Sequence, residues 1–227
     1  MDEEVLIEPV RTRRNSALVL IDFQRDFCEP GGYADHLFGY QWARDAVPNA
    51  QRLLDAARSS ALCIVHTREG YAQDLADCSI QKRIRSRRGG AAIGDRGPLG
   101  RFLVRGEGGH AFVQALEPRS AEVVIDKASY NAFLRTPLEA ELRRRGIEHL
   151  YFAGVTADVC VHSTLREATD LGFFCHYVRD AISTFDPELR AACERMVSAE
   201  GGVWGRVVDT AQVLGDFAEL ERPSRGS

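Results

Sequence analysis

Three side chains that could act together in covalent catalysis follow three separate apolar segments of this sequence. Cys160 follows HLYFAGV, Asp22 ends the apolar run LVLI, and Lys127 ends VVIDK. A thiol can attack a carbonyl carbon, a carboxylate can accept its proton, and an ammonium group can balance the charges of both. Each has an ordinary structural interpretation when taken alone: a core cysteine, a loop-capping acid and a lysine that reaches the surface. Together they predict a nucleophile, a proton acceptor and a charge partner.

The position of Cys160 also predicts an activated thiol. It lies in the first turn of a predicted helix, where the unpaired backbone N–H groups and the helix dipole favour a thiolate. The same N–H groups could hold an oxyanion formed on a substrate carbonyl. His162 is interpreted as a packing residue, and His66, at a strand end, is ambiguous. The predicted chemistry requires no histidine.

The elements that must position these side chains alternate between strand and helix. Strands are predicted at residues 16–23, 62–67, 121–127, 149–155 and 173–181, with a short strand or turn at 203–210. Helices are predicted at residues 46–61, 136–146, 158–172 and 186–202. This alternation predicts an α/β fold of Rossmann-like, three-layer type, with a parallel sheet between helices on both faces. Ligands of such sheets bind at the carboxyl ends of the strands, where all three candidate residues lie.

Residues 68–117 have weak periodicity and are expected to hold irregular or functional structure. Within them, the segment KRIRSRRGG, which begins at Lys82 and includes Arg88, is strongly basic. It is interpreted either as a solvated loop or as an element that steers or clamps a small polar or anionic ligand.

Composition limits the remaining possibilities. The 227 residues, 44% hydrophobic and 27% charged, fit one domain over residues 1–227, with tails at 1–15 and 220–227. A net charge of −4 and the lack of a long apolar run argue against a nucleic-acid or membrane partner. The first residues are acidic and then basic, the wrong order for a secretory signal, so a cytoplasmic location is expected. The six cysteines form no CxxC pair and no GxGxxG follows the first strand, so neither a metal site nor a dinucleotide cofactor is expected.

Three ordered motifs then resemble a known family. ALVLIDFQRDF, VVIDKASYNAF and GVTADVCVHSTLREATDLGF resemble the isochorismatase-like cysteine hydrolases, and the resemblance extends from about Ser16 to Leu214. It implies a six-stranded parallel sheet flanked by helices and a homo-oligomer, either a dimer or a tetramer. It also implies that Cys160 is the nucleophile, Asp22 the general base and acid, and Lys127 the cation that organises both. Lys127 would keep Asp22 ionised and lower the pKa of the thiol.

The resemblance implies further features around the nucleophile. The Val155–Thr156 peptide is expected to be cis, so that the backbone N–H groups of Thr156 and Cys160 form the oxyanion hole. Isochorismatases themselves lack the catalytic cysteine, and nicotinamidases carry an Asp-x-His metal motif that HTREGYAQDLADC does not match. The stretches HTREG, GDRGPLGRFLVRGEGGHAF and AEGGVWG are most similar to biuret and triuret hydrolases. Ureidoacrylate amidohydrolases and N-carbamoylsarcosine amidases are more distant.

The expected activity is therefore hydrolysis of a linear C–N amide bond in a small ureido or carbamoyl compound, of the triuret or biuret type, with release of ammonia. The alternatives are a ureido acid or carbamoyl amino acid as substrate, or an inactive member that binds a ligand. Glu200 replaces a glutamine expected in biuret enzymes, and a carboxylate only accepts hydrogen bonds, which favours a substrate with more N–H donors. The predicted substrate-binding residues are Phe23, Phe27, Tyr130, Asn131, Glu200 and Arg68.

Overall fold

A six-stranded parallel sheet organises the protein, which is described from a computed structural model over residues 8–220. The strands are β1 (Ser16–Ile21), β2 (Cys63–Glu69), β3 (Arg96–Gly97), β4 (Gly100–Arg101), β5 (Val123–Lys127), β6 (His149–Val155), β7 (Phe174–Ser183) and β8 (Arg206–Val208). The strand order in the sheet is β5-β2-β1-β6-β7-β8, and a separate hairpin pairs β3 with β4. The predicted strands are all present, and the predicted fold class is confirmed.

Helices cover both faces of the sheet, so that the protein has three layers. The α-helices are α1 (Arg25–Cys28), α2 (Tyr33–Phe38), α3 (Gln41–Arg44), α4 (Val47–Ser59), α5 (Ile80–Arg88), α6 (Leu138–Arg144), α7 (His162–Asp170), α8 (Pro187–Ser198) and α9 (Thr210–Leu220). Helices α4 and α9 pack in the core on one face, and α6, α7 and α8 pack in the core on the other. The sheet is therefore enclosed, as its continuous apolar strands predict.

Strand β1 shows how one run of apolar residues serves both cores. Leu18 and Leu20 belong to the core beneath α4 and α9, whereas Ala17, Val19 and Ile21 belong to the opposite core. Successive side chains of a strand point to opposite faces, so a strand buried on both sides needs no polar positions. The polar residue that follows, Asp22, therefore marks the end of the buried strand.

The prediction for the basic segment was wrong in its structural part. Residues that were interpreted as a solvated loop form helix α5, which begins at the N-cap Ser79, whose side chain accepts a hydrogen bond from the N–H of Lys82 at 3.3 Å. Lys82 and Ser86 are buried, while the other basic residues of α5 are exposed. A helix with so many cations has little apolar periodicity. Helix α5 is therefore held against the rest of the protein by the contact between Lys82 and its buried partner, Glu69, rather than by an apolar face.

The prediction for the start of the cysteine helix also needs correction. Cys160 lies in a single wide helical turn, Ala157–Val161, which precedes α7. Such wide turns occur frequently at functional sites. The regular α-helix therefore begins at His162, two residues after Cys160, and Cys160 belongs to the segment that joins β6 to α7.

The predicted tails, residues 1–15 and 220–227, are described only in part: residues 8–15 at the first end and residue 220 at the second. Residues 1–7 and 221–227 lie outside the described residues. Of the remainder, Arg11 forms an ion pair with Asp216, and Asn15 donates a hydrogen bond to Glu148 at 2.7 Å. Leu220 is the last residue of α9. Over residues 8–220, no helix combines the length and apolarity that crossing a bilayer requires.

Candidate active site

Four chemically active side chains meet at the carboxyl edge of the sheet. Asp22 follows β1, Glu69 ends β2, Lys127 ends β5, and Cys160 lies in the wide turn after β6. These strands are neighbours in the order β5-β2-β1-β6, so their ends lie side by side. All four residues are buried, with at most 4% of their surface exposed. The fold thus assembles the three residues predicted from sequence and adds Glu69 to them.

Asp22 and Lys127 form a buried ion pair. Lys127 Nζ lies 2.7 Å from Asp22 Oδ2, and Thr67 Oγ1 donates to Asp22 Oδ1 at 2.6 Å. Lys127 also donates to the carbonyl of Ser129 at 3.0 Å. Burial alone would lower the pKa of Lys127, but the negative charges of Asp22 and Glu69 and the hydrogen bond to Asp22 outweigh burial and raise it. Lys127 is therefore a permanent cation in this site.

The backbone at Asp22 explains how its carboxylate reaches this position. Asp22 has a φ of 54°, in the left-handed region that residues other than glycine rarely adopt. Its N–H donates to the carbonyl of Thr67 at 3.2 Å, which ties the turn to β2. Conformations of this kind persist where surrounding contacts enforce them, and they concentrate at functional sites.

The Cys160 thiol faces two carboxylates. Its sulfur donates to Glu69 Oε2 at 3.6 Å, and ligand atoms of Asp22, Glu69 and Cys160 lie within 4.8 Å of one another. Burial raises the pKa of the Cys160 thiol well above its usual value; the charge of Lys127 lowers it, and those of Asp22 and Glu69 raise it further. Burial and both carboxylates therefore act against the predicted thiolate in the resting site, whereas Lys127 acts in its favour as predicted. Cys160 rests as a neutral thiol because desolvation and two carboxylates outweigh one lysine.

Glu69 lies in a strand end, residues 66–69, where a ligand site was expected from sequence, but it was given no role there. Its Oε1 accepts hydrogen bonds from the Tyr71 hydroxyl at 2.5 Å and from Lys82 Nζ at 3.1 Å. Lys82 also donates to the Tyr71 hydroxyl at 2.7 Å. Burial would raise the pKa of Glu69, but Lys127 and Lys82 outweigh burial and lower it, so Glu69 is an anion. Its position at the carboxyl end of β2 is the sequence signal that marks Glu69 as a candidate site residue. Asp22 and Lys127 were selected because they also lie at the carboxyl ends of strands.

The predicted oxyanion donors lie beside the thiol. The Val155–Thr156 peptide is cis, and Thr156 and Cys160 both line one cavity. Gly154, which precedes this peptide, has a φ of 148° and leaves no room for a side chain, since a Cβ would lie 2.3 Å from the carbonyl oxygen of Ile21. The close approach of β6 to β1 at this glycine fixes where the wide turn starts.

The cavity over Cys160 has a volume of about 250 Å³ and a largely apolar and aromatic wall. Its polar and charged lining residues are Glu69, Arg85, Thr156 and Asp158. Two of the predicted substrate-binding residues, Phe27 and Tyr130, line this cavity. At its rim, the exposed rings of Phe38 and Phe185 stack with centroids 4.0 Å apart.

The other predicted substrate-binding residues are not part of the cavity lining. Phe23 is buried in the hydrophobic core, and Arg68 pairs with Asp126, with Nε 2.6 Å from Oδ1. Asn131 donates to Glu167 at 3.3 Å. Glu200 lies on an exposed turn after α8, away from Cys160. These four assignments therefore stay predictions from the resemblance, without support from the lining of this cavity.

The two histidines considered from sequence have partners of their own. His66 Nε2 lies 2.9 Å from Glu122, and His162 Nδ1 accepts from Arg166 at 2.9 Å. Burial lowers the pKa of both imidazoles. Neither residue lines the cavity over Cys160.

A metal ion at this site would compete with two lysines. Asp22, Glu69 and Cys160 offer oxygen and sulfur atoms at ligand spacing. Lys127 already pairs with Asp22, and Lys82 already pairs with Glu69. The two ammonium groups supply the positive charge that a divalent ion would bring, so the arrangement fits acid–base chemistry with a thiol nucleophile.

Comparison with known proteins agrees with this architecture. The isochorismatase domain model matches residues 16–212. Among similar solved structures, a cysteine hydrolase from Pseudomonas syringae pv. phaseolicola 1448A is 22% identical and has a TM-score of 0.79, covering 97% of this chain and 100% of that one. An isochorismatase family protein from Desulfovibrio vulgaris subsp. vulgaris str. Hildenborough is 28% identical with a TM-score of 0.76, covering 90% of this chain and 99% of that one. An N-carbamoylsarcosine amidase from Thermoplasma acidophilum is 22% identical with a TM-score of 0.67, covering 86% and 96%. The match to the domain model over most of the chain shows that this protein belongs to the isochorismatase family.

Proposed function

We propose that this protein is a cysteine-dependent amidohydrolase that cleaves a C–N bond of a small ureido or carbamoyl compound and releases ammonia or an amine. The observation that carries the proposal is the buried cluster of Cys160, Asp22 and Lys127, in which Cys160 lines the cavity and the other two residues lie behind it. A thiol with a carboxylate within reach and a cation beside that carboxylate has the parts required for covalent acyl transfer. The similarity in fold to the N-carbamoylsarcosine amidase from Thermoplasma acidophilum also supports the proposal.

The proposed reaction starts from the neutral thiol. Asp22 takes the proton of Cys160 as the sulfur attacks the carbonyl carbon, and the N–H groups of Thr156 and Cys160 hold the resulting oxyanion. The C–N bond then breaks as Asp22 returns this proton to the leaving nitrogen. Water, losing a proton to Asp22, attacks the thioester, and the departing sulfur regains that proton. Lys127 stays charged throughout and balances the charges of Asp22 and of the sulfur.

Glu69 suits the recognition of a substrate rich in N–H groups. Glu69 lines the cavity; its Oε2 accepts the hydrogen bond of the Cys160 thiol, and its Oε1 is held by Tyr71 and Lys82. A carboxylate accepts hydrogen bonds, and terminal ureido and carbamoyl groups offer several N–H donors. In this role Glu69 replaces Glu200, which was predicted from sequence to accept hydrogen bonds from the N–H groups of the substrate.

A second candidate substrate is a ureido acid, whose carboxylate could bind the positively charged Arg85, unlike neutral biuret or triuret. Arg85 lines the cavity and forms no ion pair with any residue between 8 and 220. Its guanidinium carbon lies 5.8 Å from the centroid of the Tyr130 ring. An arginine without a carboxylate partner in a largely apolar cavity fits a substrate carboxylate. The basic helix α5 thus supplies the anion-clamping residue that its sequence allowed, in place of Arg68.

The test is release of ammonia from a panel of amides by the wild type and by Cys160→Ser. The panel contains biuret, triuret, ureidoacrylate, N-carbamoylsarcosine, maleamate and nicotinamide, and Cys63→Ser is the control for a cysteine outside the cavity. We expect turnover of at least one ureido or carbamoyl compound that Cys160→Ser abolishes and Cys63→Ser retains. Turnover that persists in Cys160→Ser would contradict the mechanism. No turnover on any member, with ligand binding retained, would favour the inactive binding protein.

The choice between neutral and anionic substrates is tested with Arg85→Met. The matched control is Arg88→Met, because Arg88 is an arginine of the same helix that does not line the cavity. If a carboxylate binds at Arg85, KM for ureido acids should rise at least tenfold while KM for biuret stays unchanged. Equal KM values in both variants for every substrate would contradict this assignment and leave the neutral compounds as substrates.

A further inference from the structure

A second cluster of potential ligands lies at the opposite edge of the sheet from Cys160. His149 is the first residue of β6, and His176 is the third residue of β7. Ligand atoms of these two histidines and of Glu8 lie within 4.8 Å of one another. Since a strand rises about 3.3 Å per residue, the seven residues of β6 place this cluster roughly 20 Å from the active site.

Hydrogen bonding determines which nitrogen of His149 is free. Nε2 of His149 lies 3.1 Å from the carbonyl oxygen of Pro9. A carbonyl oxygen only accepts, so Nε2 carries the hydrogen and donates it. A neutral imidazole carries one hydrogen, so with Nε2 donating to Pro9 the other nitrogen, Nδ1, presents a lone pair. Metal-binding histidines commonly show this pattern, in which the second nitrogen donates to a backbone carbonyl.

The free nitrogen faces another acceptor. His149 Nδ1 lies 3.9 Å from Glu8 Oε1, with no proton to share between the two atoms. His149 Nδ1 and His176 Nε2 are both buried without a hydrogen-bond partner among residues 8–220. The side chain of His149 is fully buried, and His176 is 1% exposed. Buried ring nitrogens without a hydrogen-bond partner are costly unless a cation, a donor or a water lies beside them.

The charges around the cluster leave one carboxylate oxygen available. Glu8 Oε2 pairs with Arg206, and Arg11 pairs with Asp216. Both nearby arginines are therefore balanced by carboxylates, and Glu8 Oε1 remains free to face the histidines. A cavity of about 370 Å³, lined in part by Glu8, His176 and Arg206, opens beside the cluster and offers a path for an ion and its water.

We propose that Glu8, His149 and His176 bind one divalent transition-metal ion of the zinc class. Two imidazoles and a carboxylate are a common protein ligand set for zinc, and a water from the cavity would complete the coordination. Atoms at most 4.8 Å apart lie within about 2.8 Å of a common point, so bonds of about 2.0–2.1 Å need movements of under about 1 Å. The ion would connect the segment before β1 to β6 and β7, which indicates a structural role.

The experiment measures zinc binding and thermal unfolding in the full chain. It is carried out on Cys160→Ser, so that the active-site thiol does not contribute. Zn²⁺ titration calorimetry gives stoichiometry and affinity, and Co²⁺ substitution gives an absorption spectrum that distinguishes nitrogen and oxygen ligands from thiolates. The variants are His149→Gln and Glu8→Gln, with His36→Gln as the control for a histidine elsewhere. Glu8 is partly exposed, so Glu8→Gln is tolerated even where His149→Gln destabilises the core.

We expect one equivalent of Zn²⁺ to bind and to raise the Tm. Glu8→Gln and His149→Gln should each weaken binding at least tenfold, and His36→Gln should not change it. The Co²⁺ spectrum should lack a thiolate charge-transfer band. No saturable Zn²⁺ binding would overturn the proposal and leave a bridging water as the partner of the two nitrogens. Binding that both variants leave unchanged, or that shows a thiolate band, would equally overturn it.

Discussion

At the scale of single residues, the active site holds two carboxylates where sequence reasoning placed one. Asp22 is paired with Lys127, and Glu69 is paired with Lys82. The thiol hydrogen bond goes to Glu69, although Asp22 is the residue assigned as base by resemblance. Each carboxylate raises the pKa of the Cys160 thiol. This electrostatic effect can be separated from proton transfer, because only one of the two carboxylates has to accept the proton of the thiol.

Neutral replacements of the two acids should therefore have different effects. In both Asp22→Asn and Glu69→Gln, loss of a negative charge near the sulfur should lower the pKa of Cys160 and speed its alkylation by iodoacetamide at pH 7 to 8. Only Asp22→Asn should also lower kcat, by about 10² to 10⁴-fold, because it removes the base. Alkylation of Cys160 is followed by peptide mass spectrometry, with Cys63 as the internal reference. A larger loss of kcat in Glu69→Gln than in Asp22→Asn would transfer the role of base to Glu69.

At the scale of secondary-structure elements, the contact between β1 and β6 sets the geometry of the nucleophile turn. Gly154 pairs with Ile21 in the register of these strands. Gly154→Ala would force a Cβ against the Ile21 carbonyl oxygen and occupy a φ that L-residues avoid. We expect destabilisation by several kcal/mol, on the order of 3 or more, and loss of activity in any folded fraction. Urea unfolding and turnover measure the two effects.

The control for this prediction is a glycine that also has a positive φ, nearer the left-handed helical region, and no crowding. Gly172 also has a positive φ, of 85°, but nothing lies within 4 Å of the position of its Cβ. Gly172→Ala should cost only the conformational penalty, about 1 kcal/mol, and keep activity. If Gly154→Ala were as mild as Gly172→Ala, the strand contact would not be what positions the turn.

Helix α5 illustrates how one buried cation can join a surface element to the active site. Lys82 contacts Glu69 and the Tyr71 hydroxyl, and its Nζ lies 3.7 Å from the centroid of the Tyr130 ring. Lys82→Met should leave Glu69 without one of its two cations, raise the pKa of Glu69 and lower kcat/KM by about tenfold to a hundredfold. The exposed Arg83 of the same helix provides the control Arg83→Met. Matching pH–rate profiles for the two variants would argue against a coupling of α5 to the site.

At the scale of the whole molecule, one carboxylate links three parts of the fold. Glu122, just before β5, accepts hydrogen bonds from Arg58 of α4 at 2.7 Å, from His66 of β2 at 2.9 Å and from the N–H of Arg119. Burial would raise the pKa of Glu122, but these partners outweigh burial and lower it to about 2. The side chain is 8% exposed, so solvent screens these contacts only in part.

The pH dependence of stability follows from this shift. The folded pKa of Glu122 lies below its unfolded value, so its stabilisation is present above about pH 4.5 and is lost as the pH falls toward 2. Glu122→Gln should lower the free energy of unfolding at pH 7 by roughly 1 to 3 kcal/mol and by much less near pH 2 to 3. Urea unfolding at several pH values measures the difference between the two proteins. A difference that does not change with pH would show that packing, rather than charge, is the contribution of Glu122.

Assembly and location stay predictions at this scale. The resemblance to the family implies a dimer or tetramer, and the acidic-then-basic start of the chain led to a cytoplasmic expectation. The proposed metal site belongs to the same scale, since it would join the segment before β1 to two central strands. Light scattering with and without Zn²⁺ would measure assembly independently of the active site.

Much of the fold was predictable because its signals are local. Strands β1 and β6 are apolar runs, and helix α4 has apolar residues at helical spacing, so short-range patterns identify them. Helix α5 was missed because its anchor is a buried ion pair rather than an apolar stripe, and such a pair leaves no periodic pattern in the sequence. Its basic composition was noticed, but composition alone does not show which of several cations is buried.

The sequence by itself determined the strand–helix alternation, the residues at the carboxyl ends of the strands, and the family. Those depend on chain-local patterns and on ordered motifs. Only the tertiary structure decided that Glu69 joins Asp22 beside Cys160, that Arg85 rather than Arg68 faces the cavity, and that burial keeps the thiol neutral. Only the tertiary structure brings Glu8, His149 and His176 together. Desolvation and contacts between distant segments arise when the chain packs, so residue types and spacing do not encode them in a form that can be read directly.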